Sequence, residues 1–87
     1  MYKVRKRDGK IVSFDIEKIK LAIIKAFESE DEKYDENVID FLSLKVTADF
    51  SEKIDDNIID VEEIQDSVEN VLSKAGYTNI AKAYILY

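Results

Sequence analysis

The chain has 87 residues, no cysteine, no histidine and a formal net charge of −6. Those two absences exclude disulfides, thiol nucleophiles, imidazole bases and a Cys/His zinc site. Apolar runs such as Leu21 to Ile24 are far too short to span a membrane and no apolar signal segment follows Met1, so a cytoplasmic protein is expected.

The stretches Tyr2 to Arg7 and Ile11 to Phe14 are rich in β-branched and aromatic residues, and Asp8-Gly9-Lys10 separates them. This pattern predicts a β-hairpin in which Asp-Gly supplies the positive φ angles of a tight turn. Asp15 then stands where a helix cap is needed, and Ile16, Ile19, Ile23 and Phe27 recur at helical spacing, predicting a first helix from Ile16 to Glu28. Glu28 to Glu36 is polar and acidic and reads as a solvated connection. A second helix follows from Ile39, Leu42, Val46 and Phe50, flanked by Val38, Phe41 and Leu44, and ends near Ile54; its apolar stripe is wide enough to be mostly buried.

Asp55-Asp56-Asn57 reads as a turn and Ile58-Ile59 as a short third strand. Asp60 with Glu63 three residues on has the form of a capping box, opening a third helix whose apolar stripe is Val61, Ile64, Val68, Val71, Leu72 and Ala75. Gly76 closes that helix, and Thr78 opens a last one through Ile80, Ala81, Tyr84 and Ile85 to Tyr87. Its apolar pattern is still running at Tyr87, which predicts that the natural polypeptide continues. The expected fold is α+β: one domain over residues 1–87, a small bundle of roughly four helices capped by an N-terminal β-hairpin or three-stranded sheet.

Charge is divided unevenly. Residues 1–25 carry eight Lys and Arg against three acids, a balance of +5, and residues 26–87 carry five against sixteen, a balance of −11. Such a field favours a compact anion over a long polyanion, and so a phosphate-bearing small molecule. Gly9 and Gly76 are the only glycines, so no glycine-rich phosphate loop exists. Nor does any nucleophile stand with a base, and the acid pairs Asp55-Asp56 and Glu62-Glu63 lie at turns and helix starts, where capping explains them. Strand alternation puts Val4 and Lys6 on one side and Arg5 and Arg7 on the other, so a base can pack on Val4 while a phosphate meets Lys6. Lys18, on the first turn of the first helix, adds a second cation beside backbone N–H groups that favour anions. The competing reading makes Lys3 to Lys10 an exposed edge strand kept charged against aggregation.

The strings Val4-Arg-Lys6-Arg7-Asp8-Gly9, Phe14-Asp15-Ile-Glu-Lys18-Ile19, Val61-Glu-Glu-Ile64-Gln65-Asp66-Ser-Val68-Glu69 and Ala81-Lys-Ala-Tyr84-Ile85-Leu-Tyr87 together resemble the ATP-cone domain, in order and across the chain. The first two are the more specific. The resemblance implies a non-catalytic regulatory module, found mostly at the N-terminus of ribonucleotide reductase large subunits and also in a repressor of reductase genes. Such a module senses ATP against dATP, with Mg2+ carried on the phosphates, and acts by changing how subunits associate. Carried onto this chain, Val4 contacts the base region, Lys6 and Arg7 the phosphates, Asp15 and Lys18 the ligand at the first helix, and Gln65 lies near the adenine. Val12 stands where some members carry a polar residue, so this chain departs from them there. The implied partners are the rest of a larger polypeptide or reductase subunits, with no membrane. A nucleic-acid module using the basic hairpin is disfavoured by the acidic remainder and by the lack of an aromatic platform on those strands. A domain whose basic strand meets an acidic protein is the remaining alternative.

Overall fold

The computed structural model describes residues 2–86. Three short strands, β1 (Lys3–Arg5), β2 (Ile11–Ser13) and β3 (Ile58–Asp60), form a mixed sheet in the order β2-β1-β3. Four helices follow or interleave: α1 (Ile16–Ser29), α2 (Glu36–Phe50), α3 (Val61–Lys74) and α4 (Thr78–Leu86). Each of α1 and α3 packs against both α2 and α4, which closes a four-helix bundle beneath the sheet. The α+β class expected from the sequence is the one observed. No helix among the described residues is long and apolar enough to cross a membrane.

The hairpin is shorter in strand and longer in turn than the sequence pattern suggests. Gly9 alone in this turn adopts a positive φ, 89°, and Asp8 contributes through its carboxylate, which accepts from the Lys10 N–H at 3.0 Å. Gly9 N–H donates to the Lys6 carbonyl and Lys6 N–H to the Lys10 carbonyl, so residues 6–10 belong to the turn. β1 pairs antiparallel with β2 and parallel with β3, placing Val12, Val4 and Ile59 in one row across the sheet. Val4 and Ile59 are buried in the core, with Val12 packed against it. β1 is therefore the central strand, which overturns the edge-strand alternative. A two-residue turn with Asp56 and Asn57 both at positive φ, closed by reciprocal Asp55 and Ile58 backbone bonds, delivers β3 into that position.

Two caps behave as their residue types demand. The Asp15 carboxylate accepts from Glu17 N–H at 3.0 Å, and the Asp35 carboxylate from Asn37 N–H at 2.7 Å. The second cap starts α2 at Glu36, inside the stretch expected to be a solvated connection, and a 3-10 turn over Ser51–Lys53 replaces the expected run to Ile54. Asp60 precedes α3 in an extended conformation but makes no capping bond, so the expected capping box is not formed. Its carboxylate accepts from Arg5 Nη1 at 3.1 Å instead, because the strand register sets those two residues opposite each other.

The core takes Ile19, Ile23 and Phe27 from α1, Ile39, Leu42, Val46 and Phe50 from α2, and Ile64, Val68, Val71 and Leu72 from α3. Phe41 and Leu44 are 56% and 64% exposed, so α2 buries a narrower stripe than its apolar content suggests. Its inward face is completed by Ser43, whose hydroxyl donates to the Ile39 carbonyl at 2.8 Å. Ala75 is likewise exposed, as the residue that ends α3. Gly76 follows at φ 92° and gives the left-handed closure its type predicts: its N–H donates to the Ser73 carbonyl and Tyr77 N–H to the Leu72 carbonyl. Tyr77 then stacks edge-on to Phe27, tying the α3–α4 turn to α1. Of the last helix's expected stripe, Ile80 and Ala81 are buried and Tyr84 half-buried; the side chain of Ile85 and all of Tyr87 lie outside the described residues.

Burial separates two leucines. Leu72→Ala, at a site with no solvent exposure, is expected to cost about 2–5 kcal/mol and lower Tm by at least about 8 °C. Leu44→Ala should change stability by no more than about 0.5 kcal/mol. Thermal unfolding of both variants checks the assignment, and comparable losses would contradict it. Gly76→Ala meets no atom within 4 Å, so its expected cost, about 1–2 kcal/mol, is backbone strain alone.

Candidate functional site

The inner row of the sheet does not seal completely against the bundle. Val4 and Val12 above, with Ile19 and Ala22 of α1, Ile64 of α3 and Tyr84 of α4 below, enclose a cavity of about 190 Å³. Polar residues at its lining include Lys6 at the hairpin turn, Ser13 at the end of β2, Asp15 and Lys18 at the start of α1, and Gln65 on the first turns of α3. Five of the six residues singled out from the sequence, Val4, Lys6, Asp15, Lys18 and Gln65, thus line one cavity. Val12 lines it too, as an apolar wall where a polar contact was the alternative.

Arg7 is placed differently. Its guanidinium donates from Nη2 to Gln65 Oε1 at 2.7 Å and lies 3.9 Å from a Glu62 oxygen. With Arg5 and Lys6 it borders a second, open depression of about 340 Å³, whose other side is the acidic start of α3 at Asp60, Glu62, Glu63 and Asp66. The alternation expected of the first strand therefore persists into the turn: Val4 and Lys6 reach the cavity, Arg5 and Arg7 the acidic outer face.

This pairing pattern sorts the cations. Arg5 is held by Asp60, Arg7 by Gln65 and Glu62, and Lys20 bridges Glu17 at 3.4 Å and Asp40 at 3.0 Å. The hydrogen bond to Asp40, ahead of the remaining charge and burial effects, raises the Lys20 pKa and marks an ammonium already engaged between α1 and α2. Lys6 and Lys18, by contrast, make no ion pair among the described residues and stand exposed at the cavity rim. The helix terminus itself offers an anion less than its position suggests. Asp15 takes the Glu17 N–H with its carboxylate and the Lys18 N–H with its carbonyl at 3.1 Å.

Phe14 and Tyr84 also line the cavity, and nothing in the sequence distinguished them from core aromatics. Phe14 belongs to a cluster with Tyr2 and Phe50, at centroid distances of 4.7 and 5.8 Å. The Tyr84 phenol has its pKa raised by burial, partly offset by the nearby Arg7 charge, so at neutral pH it stays protonated and able to donate a hydrogen bond. Among the described residues no three His, Cys, Asp or Glu side chains converge as a metal site would require. A wider depression of about 590 Å³ between α2 and α3, beside Phe41, Lys45, Asp49 and Lys74, contains none of the residues singled out from the sequence.

The family of ATP cone domains matches residues 2–87 of this chain. A vitamin B12-dependent ribonucleoside-diphosphate reductase of Mycobacterium tuberculosis is 38% identical over 85 residues, 98% of this chain and 12% of the relative. An anaerobic ribonucleoside-triphosphate reductase of Salmonella typhimurium is 37% identical over 87 residues, 97% of this chain and 11% of the relative. A ribonucleoside-diphosphate reductase subunit alpha of Chlamydia pneumoniae is 36% identical over 88 residues, covering 94% of this chain and 8% of its own. The chain thus spans about an eighth or less of the length of these curated relatives, each a far larger polypeptide. With the family match running from the first strand through the last helix, and five of the six motif residues singled out gathered around one cavity, the chain belongs to the ATP-cone family of nucleotide-binding regulatory domains.

Proposed function

We propose that this domain is a non-catalytic allosteric sensor that binds ATP and dATP and sets the activity of a ribonucleotide reductase of which it is the N-terminal part. We place it in the cytoplasm, in contact with the nucleotide pool. The observation that carries this reading is that Lys6 and Lys18, the two cavity cations, have no carboxylate partner among the described residues while their basic neighbours Arg5, Arg7 and Lys20 are engaged.

The cavity's size favours a division of the ligand. Pockets that bury a whole drug-sized molecule run from about 300 to 1,000 Å³, so about 190 Å³ suits the base and sugar, with the phosphates at the rim. In this arrangement the base packs on Val4 and its apolar neighbours, and Lys6 and Lys18 meet the phosphates. Asp15 lies beside the ligand at the start of α1, and Gln65 supplies a hydrogen bond to the adenosine part. Arg7, expected at the phosphates, would first have to leave Gln65 and Glu62. Mg2+ would arrive coordinated by the phosphates, since no acidic cage awaits it among the described residues. Arg5 is already neutralised on the outer face, which weighs against a nucleic-acid backbone there.

Lys6→Ala and Lys18→Ala should each weaken ATP binding about ten- to a hundredfold, the worth of a charge-assisted contact, while Lys45→Ala leaves it unchanged. Calorimetric titration with magnesium, beside circular dichroism to verify the fold, makes the measurement. Full affinity in both variants would remove the site.

ATP and dATP differ by one hydroxyl, so their affinities should lie within about tenfold of each other. Signalling then requires two bound conformations of the hairpin and α1, each favoured by a different nucleotide. Amide spectra of the domain should differ between the two ligands, as should the oligomers of the full polypeptide. Superimposable spectra with identical oligomers would leave binding without sensing.

A further inference from the structure

We infer that Arg7 is a positioning residue: it holds Gln65 so that the amide nitrogen, and not the amide oxygen, is presented to a hydrogen-bond acceptor on the nucleoside part of the ligand. This rests on the nucleotide-binding reading above and assigns Arg7 a role other than direct phosphate contact.

The chemistry of the pair dictates the orientation. A guanidinium has five N–H donors and no acceptor, so the atom of Gln65 that approaches Arg7 Nη2 at 2.7 Å must be the oxygen. The two ends of the amide are opposed across its carbon, so fixing the oxygen on Arg7 fixes the nitrogen away from it, and that nitrogen can only donate. Gln65 makes no other side-chain hydrogen bond among the described residues, and it lines the cavity, whereas Arg7 does not. The donor is therefore uncommitted and borders the space assigned to the base and sugar.

Arg7 is in turn restrained. It extends from the hairpin turn to α3, bridging elements 58 residues apart, and Glu62, one turn before Gln65 on α3, stands 3.9 Å from its Nε. Its positive charge also reaches Tyr84 on α4, at the cavity wall. A residue with these neighbours would have to abandon a short hydrogen bond and leave a carboxylate to reach a phosphate at the cavity rim. Lys6 already stands at that rim with no such obligation.

The test is a double-mutant cycle on the 87-residue chain, with ATP and magnesium titrated into the parent, Arg7→Ala, Gln65→Ala and the double variant. One neutral hydrogen bond is worth about two- to tenfold in affinity, so each single variant should weaken binding by that range. The double variant should be no weaker than Gln65→Ala, because Arg7 acts through Gln65. In the parent, the Gln65 side-chain NH2 resonances should shift on adding ATP, and in Arg7→Ala that shift should shrink. Arg7 is exposed and Gln65 half-buried outside the core, so truncation should leave the fold intact, which circular dichroism verifies. Independent losses that multiply in the double variant, or a ten- to hundredfold loss from Arg7→Ala, would make Arg7 a phosphate ligand and overturn the inference. So would an unchanged affinity in either single variant. A parent that fails to bind ATP would instead sink the functional reading itself.

Discussion

The parallel pairing of β1 with β3 is the constraint on which the rest of this molecule depends. It joins the N-terminus of the chain to a segment more than fifty residues later, setting Lys3, Val4 and Arg5 against Ile58, Ile59 and Asp60. Because β3 runs directly into α3, that register also sets where α3 begins relative to the hairpin. Gln65 comes under Arg7, and Ile64 under the inner row of the sheet. A slip of one residue would turn Val4 out to solvent and Lys3 and Arg5 into the core, so burial of Val4 and Ile59 holds the register. The cavity is what remains between a three-stranded sheet and a four-helix bundle whose relative positions are set in this way.

Electrostatics follows from the same geometry. The outer face of the sheet meets the acidic start of α3, and the half-exposed Arg5–Asp60 pair forms there. Exposed pairs of this kind contribute at most about 1 kcal/mol, so their importance lies less in stability than in which cations they occupy. Arg5 and Arg7 are engaged on that side, whereas Lys6 and Lys18 at the inner cavity make no ion pair among the described residues.

The site is assembled from elements of unequal rigidity. Its floor consists of α1, α3 and α4, whose cavity-facing residues continue into a core closed by Phe27, Leu72 and Ile80. Its roof is a short hairpin, joined to β3 by the Arg5–Asp60 pair and a few backbone bonds and to α3 by the Arg7–Gln65 hydrogen bond. Val4, Val12 and Phe14 anchor that roof in the core, whereas residues 6–10 of its turn are exposed, and local opening is least costly where few apolar contacts hold a segment.

Much of this was legible in the chain before any coordinates. The four helices, the hairpin and the short third strand follow from apolar periodicity, from Asp15 as a cap and from Gly9 and Gly76 at positions that need a left-handed backbone, all of them local effects. The motif residues around the cavity were legible because strand alternation and the first turn of a helix place Val4, Lys6 and Lys18 without knowledge of distant contacts. What local pattern could not supply was decided by packing. Phe41 and Leu44 carry helical apolar spacing yet face solvent, since burial depends on which neighbours a helix meets. Asp60 has the type and position of a cap yet bonds to Arg5, since the sheet register offers it a charged partner. Arg7 reads as one more cation of a phosphate-binding run, and only the approach of α3, through pairing between strands far apart in sequence, turns it toward Gln65.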